Sequence, residues 1–388
     1  MQFGWVLPYI PGSFIFSVCG NLNQRSLALK MKIGAFMMPA HPSYRTIRDG
    51  HYHDLDTLKF LDAIGFHEAW VGEHYMMPAE PCPSPDLLIA QAFLETENIK
   101  LAPGAFMLPF HHPAELAHRI CLLDHIGEGR LMVGIGASGT SLDLEMFGID
   151  HQTGIHREMT AESIAIMTRF WESEGPFEYK GRFWSARRPE DQPSKRSGYH
   201  LKPFQRPYPP IGVTGLSAAS PTLRLAGVNG WIPISFCFTP QYLHTHWEVV
   251  TNGAREAMRA APSREDWRIS RPFFVADTDK EAWRRSVDGE MGRYFREDYL
   301  PMLAGNNALG LLKHDRDVPD SDVTVEYVAK HCWITGSPET VADRVAEMES
   351  LSGGFGVLHA MCFDHLDDVD ATRQSYSALA DIVSARRH

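Results

Sequence analysis

From Met31 onward, short apolar runs alternate with longer stretches whose apolar residues recur at helical spacing. That rhythm belongs to βα units feeding a parallel sheet. Runs at 32–38, 68–72, 99–106, 130–136, 211–214, 231–236, 267–276 and 355–363 predict eight strands. The spacing predicts helices over 57–64, 84–96, from Pro113, over 156–171, 220–226 and 240–260, from Asp279, and over 338–351 and 369–388. Leu58, Leu61 and Ile64 share one helix face, and Gly65 supplies a stop. Ser337-Pro-Glu sets a capping serine before a proline at the first helical position. Eight strands with helical crossovers predict an α/β fold, a closed (β/α)8 TIM barrel, over an open doubly wound sheet. Periodicity fails after strands 4 and 7. An insertion is expected at 172–209, with a hairpin near 177–184, and a second at about 304–323. The barrel domain is read as 31–388. Residues 1–30, interrupted by Pro8 and Pro11 and lacking a basic leader, are read as an N-terminal extension outside the fold and not a signal peptide.

Composition narrows the classes. A chain of 388 residues with 44% hydrophobic and 22% charged positions can bury a sizeable core. A net charge of −11 argues against nucleic acid or an anionic membrane as partner. Cys19, Cys82, Cys121, Cys237, Cys332 and Cys362 stand far apart, as reduced thiols in a cytoplasmic protein would. No apolar run reaches the roughly 18 residues of a membrane span.

Chemistry concentrates where the strands end. Strand 2 closes in Glu73-His74, and an unpaired charge buried there costs several kcal/mol in order-of-magnitude terms. The pair therefore either satisfies loop backbone or carries chemistry, because ligands meet parallel sheets at the carboxyl ends of strands. The other strand exits, 37–41, 106–113, 136–140, 215–220 and 235–238, make a rim that is largely apolar and aromatic with two Gly/Ser loops. Such loops offer backbone N–H groups and hydroxyls to a phosphate, and an apolar slot beside them suits a planar cofactor. Gly136-Ala-Ser-Gly139 lacks dinucleotide spacing and taken alone reads as an ordinary turn, and Ser217 and Ser220 could cap the following helix. His51/His53, His111/His112 and His244/His246 lack metal-ligand spacing, so no metal is expected, and no G-x-S-x-G elbow suggests a hydrolase.

Five segments in register carry a family likeness: Met31-Lys-Ile-Gly-Ala-Phe-Met-Met-Pro39, Trp70-Val-Gly-Glu-His74, Leu108-Pro-Phe-His-His-Pro113, Leu122-Leu-Asp-His-Ile-Gly-Glu-Gly-Arg130 and Gly336-Ser-Pro-Glu339. Together they resemble the bacterial luciferase-like flavin monooxygenases, within them the limonene monooxygenase-like and diketocamphane monooxygenase-like branch. The resemblance implies a two-component enzyme that takes reduced FMN (FMNH2) from a separate NAD(P)H flavin reductase. With O2 it oxygenates a hydrophobic small molecule through a flavin peroxide, and it pairs as a homodimer. It places the catalytic base at His74 and a flavin-side acid at Glu73. Gly104-Ala105 falls where relatives carry a non-prolyl cis peptide beneath the flavin ring. Gly215, Leu216, Ser217 and Ser220 fall on the phosphate loop, and Phe236 on an aromatic position near the ring. Gly136-Ala137 stands where luciferase itself has Cys-Arg, which leaves Ser138, Thr140 or Arg157 to replace the arginine at the phosphate. The alternatives are a deazaflavin-dependent oxidoreductase of the same superfamily and a non-catalytic flavin-binding subunit.

Overall fold

The computed structural model describes residues 30–138, 140–236, 242–365 and 368–386. The N-terminal extension, apart from Lys30, lies outside the described residues.

The first half of the chain runs β1 (Lys32–Met37), α1 (Ile47–Ala63), β2 (Glu68–Val71), α2 (Pro85–Glu95), β3 (Lys100–Pro103), β4 (Phe106–Met107), α3 (Pro113–Ile126), β5 (Val133–Gly136), α4 (Ser141–Met146) and α5 (Ile155–Glu172). An antiparallel hairpin of β6 (Phe177–Lys180) and β7 (Ser185–Arg188) follows. The second half runs β8 (Ile211–Gly215), α6 (Pro221–Asn229), β9 (Ile232–Ser235), α7 (Tyr242–Glu256), β10 (Arg268–Val275), α8 (Asp279–Ser286), α9 (Glu290–Tyr294), a π-helical turn (Phe295–Tyr299), α10 (Leu300–Gly305), α11 (Val325–Cys332), β11 (Ile334–Gly336), α12 (Pro338–Ser352), β12 (Val357–Cys362) and α13 (Val369–Ala385).

The parallel sheet has the order β3-β2-β1-β12-β10-β9-β8-β5-β4. Since β3 and β4 are consecutive pieces of one strand, the β4–β5 pairing and a Leu101–Leu131 bridge bring the ends of that order together. The result is the eight-stranded barrel expected from the alternation, with β11 added beside the end of β10. The run read as one strand over 99–106 is broken by the cis Gly104-Ala105 peptide. The hairpin stands where the first insertion was expected. The second insertion is larger than its irregular stretch suggested, because α8 to α11 all lie between β10 and β11.

Two apolar cores hold this arrangement. One lies between the sheet and its helices, with Leu58, Ile89, Leu116, Ile120, Val341 and Leu379 wholly buried. The other fills the barrel and runs on into the second insertion, joining Phe36, Trp70, Met132, Ile234, Met361 and Phe363 to Met291, Tyr294, Phe295 and Trp333. Trp70 is its floor. A Cβ on Gly212 would stand 2.4 Å from the Trp70 ring, so only glycine fits there. Below Trp70 lies Glu68, fully buried, its carboxylate held by Arg268 at 3.0 and 3.1 Å, His359 at 2.8 Å and Trp70 Nε1 at 2.8 Å. Burial opposes that charge, yet Arg268 and His359 hold the carboxyl well below its usual range. A buried charge is tolerated when its lone pairs are filled this completely.

Helix α1 begins at Ile47 rather than near Thr57. Its first half is polar and shows no periodic face, but Thr46 caps it by accepting from Asp49 N–H. Gly50 and Asp54 are buried beneath it against His41.

Candidate active site

The turn after β2 delivers two side chains in different directions. Glu73 is fully buried and points toward β4. Its Oε1 accepts from His111 Nε2 at 2.9 Å, and its Oε2 lies 3.4 Å from Met107 N–H. Arg119 donates to His111 Nδ1 at 3.2 Å, so the proton of that imidazole sits on Nε2, facing Glu73. Arg119 is itself paired with Asp86 at 3.0 Å. Burial, then the charge of Glu73, pushes the neighbouring Tyr75 hydroxyl pKa up. The Tyr75 ring meets Phe110 and Phe147 edge-on at 5.5 and 5.0 Å, and those two stack at 4.4 Å.

His74 turns the other way, between two carboxylates. Glu80 lies 3.1 Å from Nε2 and Asp143 lies 3.7 Å from Nδ1. The Glu80 contact is not aligned as a hydrogen bond, and the Asp143 contact is longer than one, so the buried Nδ1 has Asp143 as an ion-pair partner. Burial opposes protonation, but Glu80 and then Asp143 outweigh it, and the imidazole pKa is raised. Asp143 is fixed by Met76 N–H and the Thr140 hydroxyl, both at 2.6 Å, and its pKa is lowered despite burial by His74, Thr140 and Met76. Glu80 accepts from the Tyr294 hydroxyl.

The remaining candidates fall in three groups. Gly104 and Ala105 form the cis bond directly against Trp70, with Ala105 buried. Gly136 ends β5, and Ser138, at φ 69°, turns its hydroxyl to 3.4 Å from that of Thr140. Across the barrel, Gly215 ends β8, Leu216 and Ser217 are exposed, and Ser220 caps α6 by accepting from Leu223 N–H at 3.3 Å. The Ser217 carbonyl is pinned by His246 Nε2 at 2.9 Å. The other His246 nitrogen meets the Ser235 hydroxyl at 2.9 Å, which also accepts from Trp267 at 2.8 Å. Burial lowers the His246 pKa to about 4. Phe236 follows β9, donates its N–H to Gly215 at 3.0 Å and meets Phe36 edge-on at 5.1 Å. Arg157 is exposed on the first turn of α5 and forms no hydrogen bond or ion pair with the other candidates among the described residues.

Sequence reasoning missed Glu80, Asp143, His111, Arg119 and Tyr294. Asp143, three residues after Thr140, carried the one local signal: a cap-like Thr-x-x-Asp spacing behind the Gly/Ser loop.

The arrangement fits a flavin phosphate. The rim carries the Ser138, Ser217 and Ser220 hydroxyls and the Thr222 N–H of α6 as candidate anion donors, while the Thr140 hydroxyl already donates to Asp143 and Leu223 N–H to Ser220. At the end of β9 the half-buried Phe236, edge-on to the buried Phe36, adds aromatic surface to the rim.

Comparison with known proteins agrees with the geometry. The sequence model of the luciferase-like monooxygenases matches residues 31–353. The chain is 32% identical over 374 residues to 3,6-diketocamphane 1,6-monooxygenase of Pseudomonas putida, covering 92% of this chain and 98% of that one. It is 28% identical over 348 residues to limonene 1,2-monooxygenase of Rhodococcus erythropolis, covering 85% and 81%. Among solved structures, the oxygenating constituent of P. putida 3,6-diketocamphane monooxygenase, a type II Baeyer–Villiger monooxygenase in complex with FMN, superposes with a TM-score of 0.86. That match has 33% identity and covers 92% of this chain and 98% of that chain. The chain belongs to the luciferase-like monooxygenase family.

Proposed function

We propose that this protein is the oxygenase component of a two-component monooxygenase that uses reduced FMN and O2 to oxygenate a hydrophobic small molecule. The observation that carries the reading is His74, a half-buried imidazole between Glu80 and Asp143 on the rim of a barrel whose other strand ends supply anion donors and aromatic surface. Reduced FMN, when bound, supplies the electrons with which oxygen is activated. Every other part falls to the chain's own residues. The Gly215–Ser220 loop, stiffened from behind by His246 and Ser235, would hold the phosphate together with Ser138, whose hydroxyl Thr140 N–H orients. Ala105 and Phe236 would flank the ring, and Glu73, wholly buried and held by His111 and Met107 N–H, ties the β2 exit to β4. Glu80 and Asp143 favour a protonated His74 against burial, and the imidazole would hand that proton over or take it back. The closed apolar core beneath keeps water from the reacting end.

The substrate expectation rests on the lining near the mouth, where Tyr75, Phe110 and Phe147 offer apolar surface. A cyclic ketone is the class to try first, given the diketocamphane oxygenases at 32% identity. A separate NAD(P)H flavin reductase is the expected source of reduced FMN, since the chain carries no dinucleotide fingerprint. That supply, together with Cys82, Cys121, Cys332 and Cys362 as free thiols, supports a cytoplasmic setting. No helix among the described residues is long and apolar enough to cross a membrane. Leu87 and Leu94 on α2 and Leu122 on α3 are exposed, which supports a homodimer through those helices.

The test is an anaerobic fluorescence titration with reduced and oxidised FMN and FAD, followed by oxygen uptake on mixing with a ketone. Reduced FMN should bind most tightly, and oxygen should be consumed with product formed. Tighter binding of reduced FAD, or hydride transfer without oxygen uptake, would overturn the reading.

A further inference from the structure

We propose that Glu80 is a positioning residue that links the His74 imidazole to the Tyr294 hydroxyl, so that the segment inserted after β10 must be seated before His74 is set. The link rests on the proposed role of His74, but its parts can be read without it. Glu80 sits in the loop between β2 and α2 and is 2% exposed. Its backbone is anchored there by Glu80 N–H to the Met77 carbonyl at 2.9 Å and by Cys82 N–H to its own carbonyl at 2.8 Å. A carboxylate so deeply buried needs donors. Among the described residues, the Tyr294 hydroxyl reaches Oε1, and His74 Nε2 lies 3.1 Å from Oε2.

Tyr294 arrives from far along the chain. It ends α9, just before the π-helical turn, and is 5% exposed. Its ring packs at 5.6 Å from Phe363, which follows β12, and at 6.0 Å from Tyr299. The hydroxyl is thus placed by the same contacts that seat the insertion on the barrel. A single-turn π-helix at this point is a feature that recurs beside functional sites.

The groups facing His74 are Glu80 and Glu73 from the β2 exit and Asp143 from α4. Those facing Glu80 in turn are His74, Tyr294 and Tyr299. Asp143 has firm partners of its own in Met76 and Thr140. Among the described residues, the Tyr294 hydroxyl donates to Glu80, and Tyr299 also faces it. Losing the Tyr294 hydroxyl removes the donor that fixes the carboxylate toward the ring.

The experiment is an NMR titration of flavin-free protein carrying labelled histidine, with the His74 signal assigned by its loss in His74→Ala. Wild type is compared with Glu80→Gln, Tyr294→Phe and the double variant, each checked for fold by circular dichroism. His74 should titrate above the ordinary histidine midpoint in wild type, and Glu80→Gln should move it down. Tyr294→Phe should alter the His74 signal, and the double variant should match Glu80→Gln alone, because both act through one contact. With substrate, Tyr294→Phe should lower kcat while KM stays near wild type. An unchanged His74 midpoint in folded Glu80→Gln, or additive effects in the double variant, overturns the proposal. If Glu80→Gln does not fold, Tyr294→Phe decides alone: an unmoved His74 signal overturns the link and a moved one supports it. A His74 that titrates as described while His74→Ala turns over normally would sink the functional reading and leave the link standing.

Discussion

The barrel rim carries two histidines that each lie between two carboxylates, and they are built differently. His41, on the loop after β1, has Asp364 at 2.8 Å on Nδ1 and Asp54 at 3.1 Å on Nε2, both as hydrogen bonds. Arg45 joins Asp364 at 2.9 Å and His53 stands 3.6 Å away. His74 has its carboxylates at 3.1 and 3.7 Å, and neither contact has the geometry of an ordinary hydrogen bond. Burial opposes both charges and the acids outweigh it, raising the His41 pKa to about 9 and also raising that of His74. The electrostatics are alike, so the difference lies in geometry. His41 clamps the first strand's exit to α1 and to the last strand's exit, with every ring nitrogen satisfied. His74 has the charge without the satisfied bonds, which is what a group that must move a proton requires.

Breaking each histidine should therefore hurt a different property. His74→Ala should keep the fold and bind reduced FMN, because Asp143 and Glu80 retain Thr140, Met76 and Tyr294 as partners. Product formation should fall by about 10²–10⁴-fold, the usual effect of losing a general acid–base group. Hydrogen peroxide release per electron consumed should rise together with that loss. Normal turnover would return His74 to a plain rim residue.

His41→Ala should do the reverse. It leaves Asp54 and Asp364 buried with the cation between them gone, an effect on the order of 3–5 kcal/mol by urea unfolding. Turnover per folded molecule should stay near wild type. The pH dependence has a definite sign. A histidine whose pKa is about 9 when folded and near 6.5 when unfolded stabilises most below pH 6.5. That contribution declines as the pH rises from 6.5 through 9. Wild-type stability should drop across this window while His41→Ala stays flatter. A flat wild-type curve would remove the clamp.

The same contrast explains what could be read from the chain. Strands such as β1, β9 and β12 are buried apolar runs between turn residues, so their positions are local properties of the sequence. The loops that carry the candidate site were legible for a related reason, since parallel strands send all their exits to one rim. The first half of α1 was not, because its polar turns are stabilised by the Thr46 cap and by His41 rather than by an apolar face. Nor was α4, whose six residues are too few to show a period. The pairings that set His74 apart are tertiary. Glu80 and Tyr294 stand 214 positions apart, and Asp143 reaches Met76 across 67. A lone glutamate in a loop gives no sign that it will be buried. Only the folded barrel, with its second insertion in place, supplies the tyrosine that fills its lone pair.

On a smaller scale, the proposed phosphate loop repeats the contrast between an engaged group and an open one. The Ser220 hydroxyl oxygen already accepts from Leu223 N–H at 3.3 Å, capping α6, which leaves its O–H to donate to an anion. Ser217 is exposed, and its fixed point is the carbonyl held by His246, while its hydroxyl forms no hydrogen bond among the described residues. Ser220→Ala should therefore lower stability by about 1 kcal/mol, as a lost cap does. It should also weaken reduced FMN binding by roughly tenfold, the scale of a hydrogen bond to a charged group. Ser217→Ala should weaken binding by a similar factor and leave the unfolding midpoint where it was. Ser220→Thr, which keeps both the acceptor and the donor, should recover both properties. The two readouts, anaerobic flavin titration and urea unfolding, separate the cap from the anion contact. If neither alanine variant changes the affinity for reduced FMN, the phosphate is held elsewhere on the rim, and the Ser138–Thr140 side becomes the region to test.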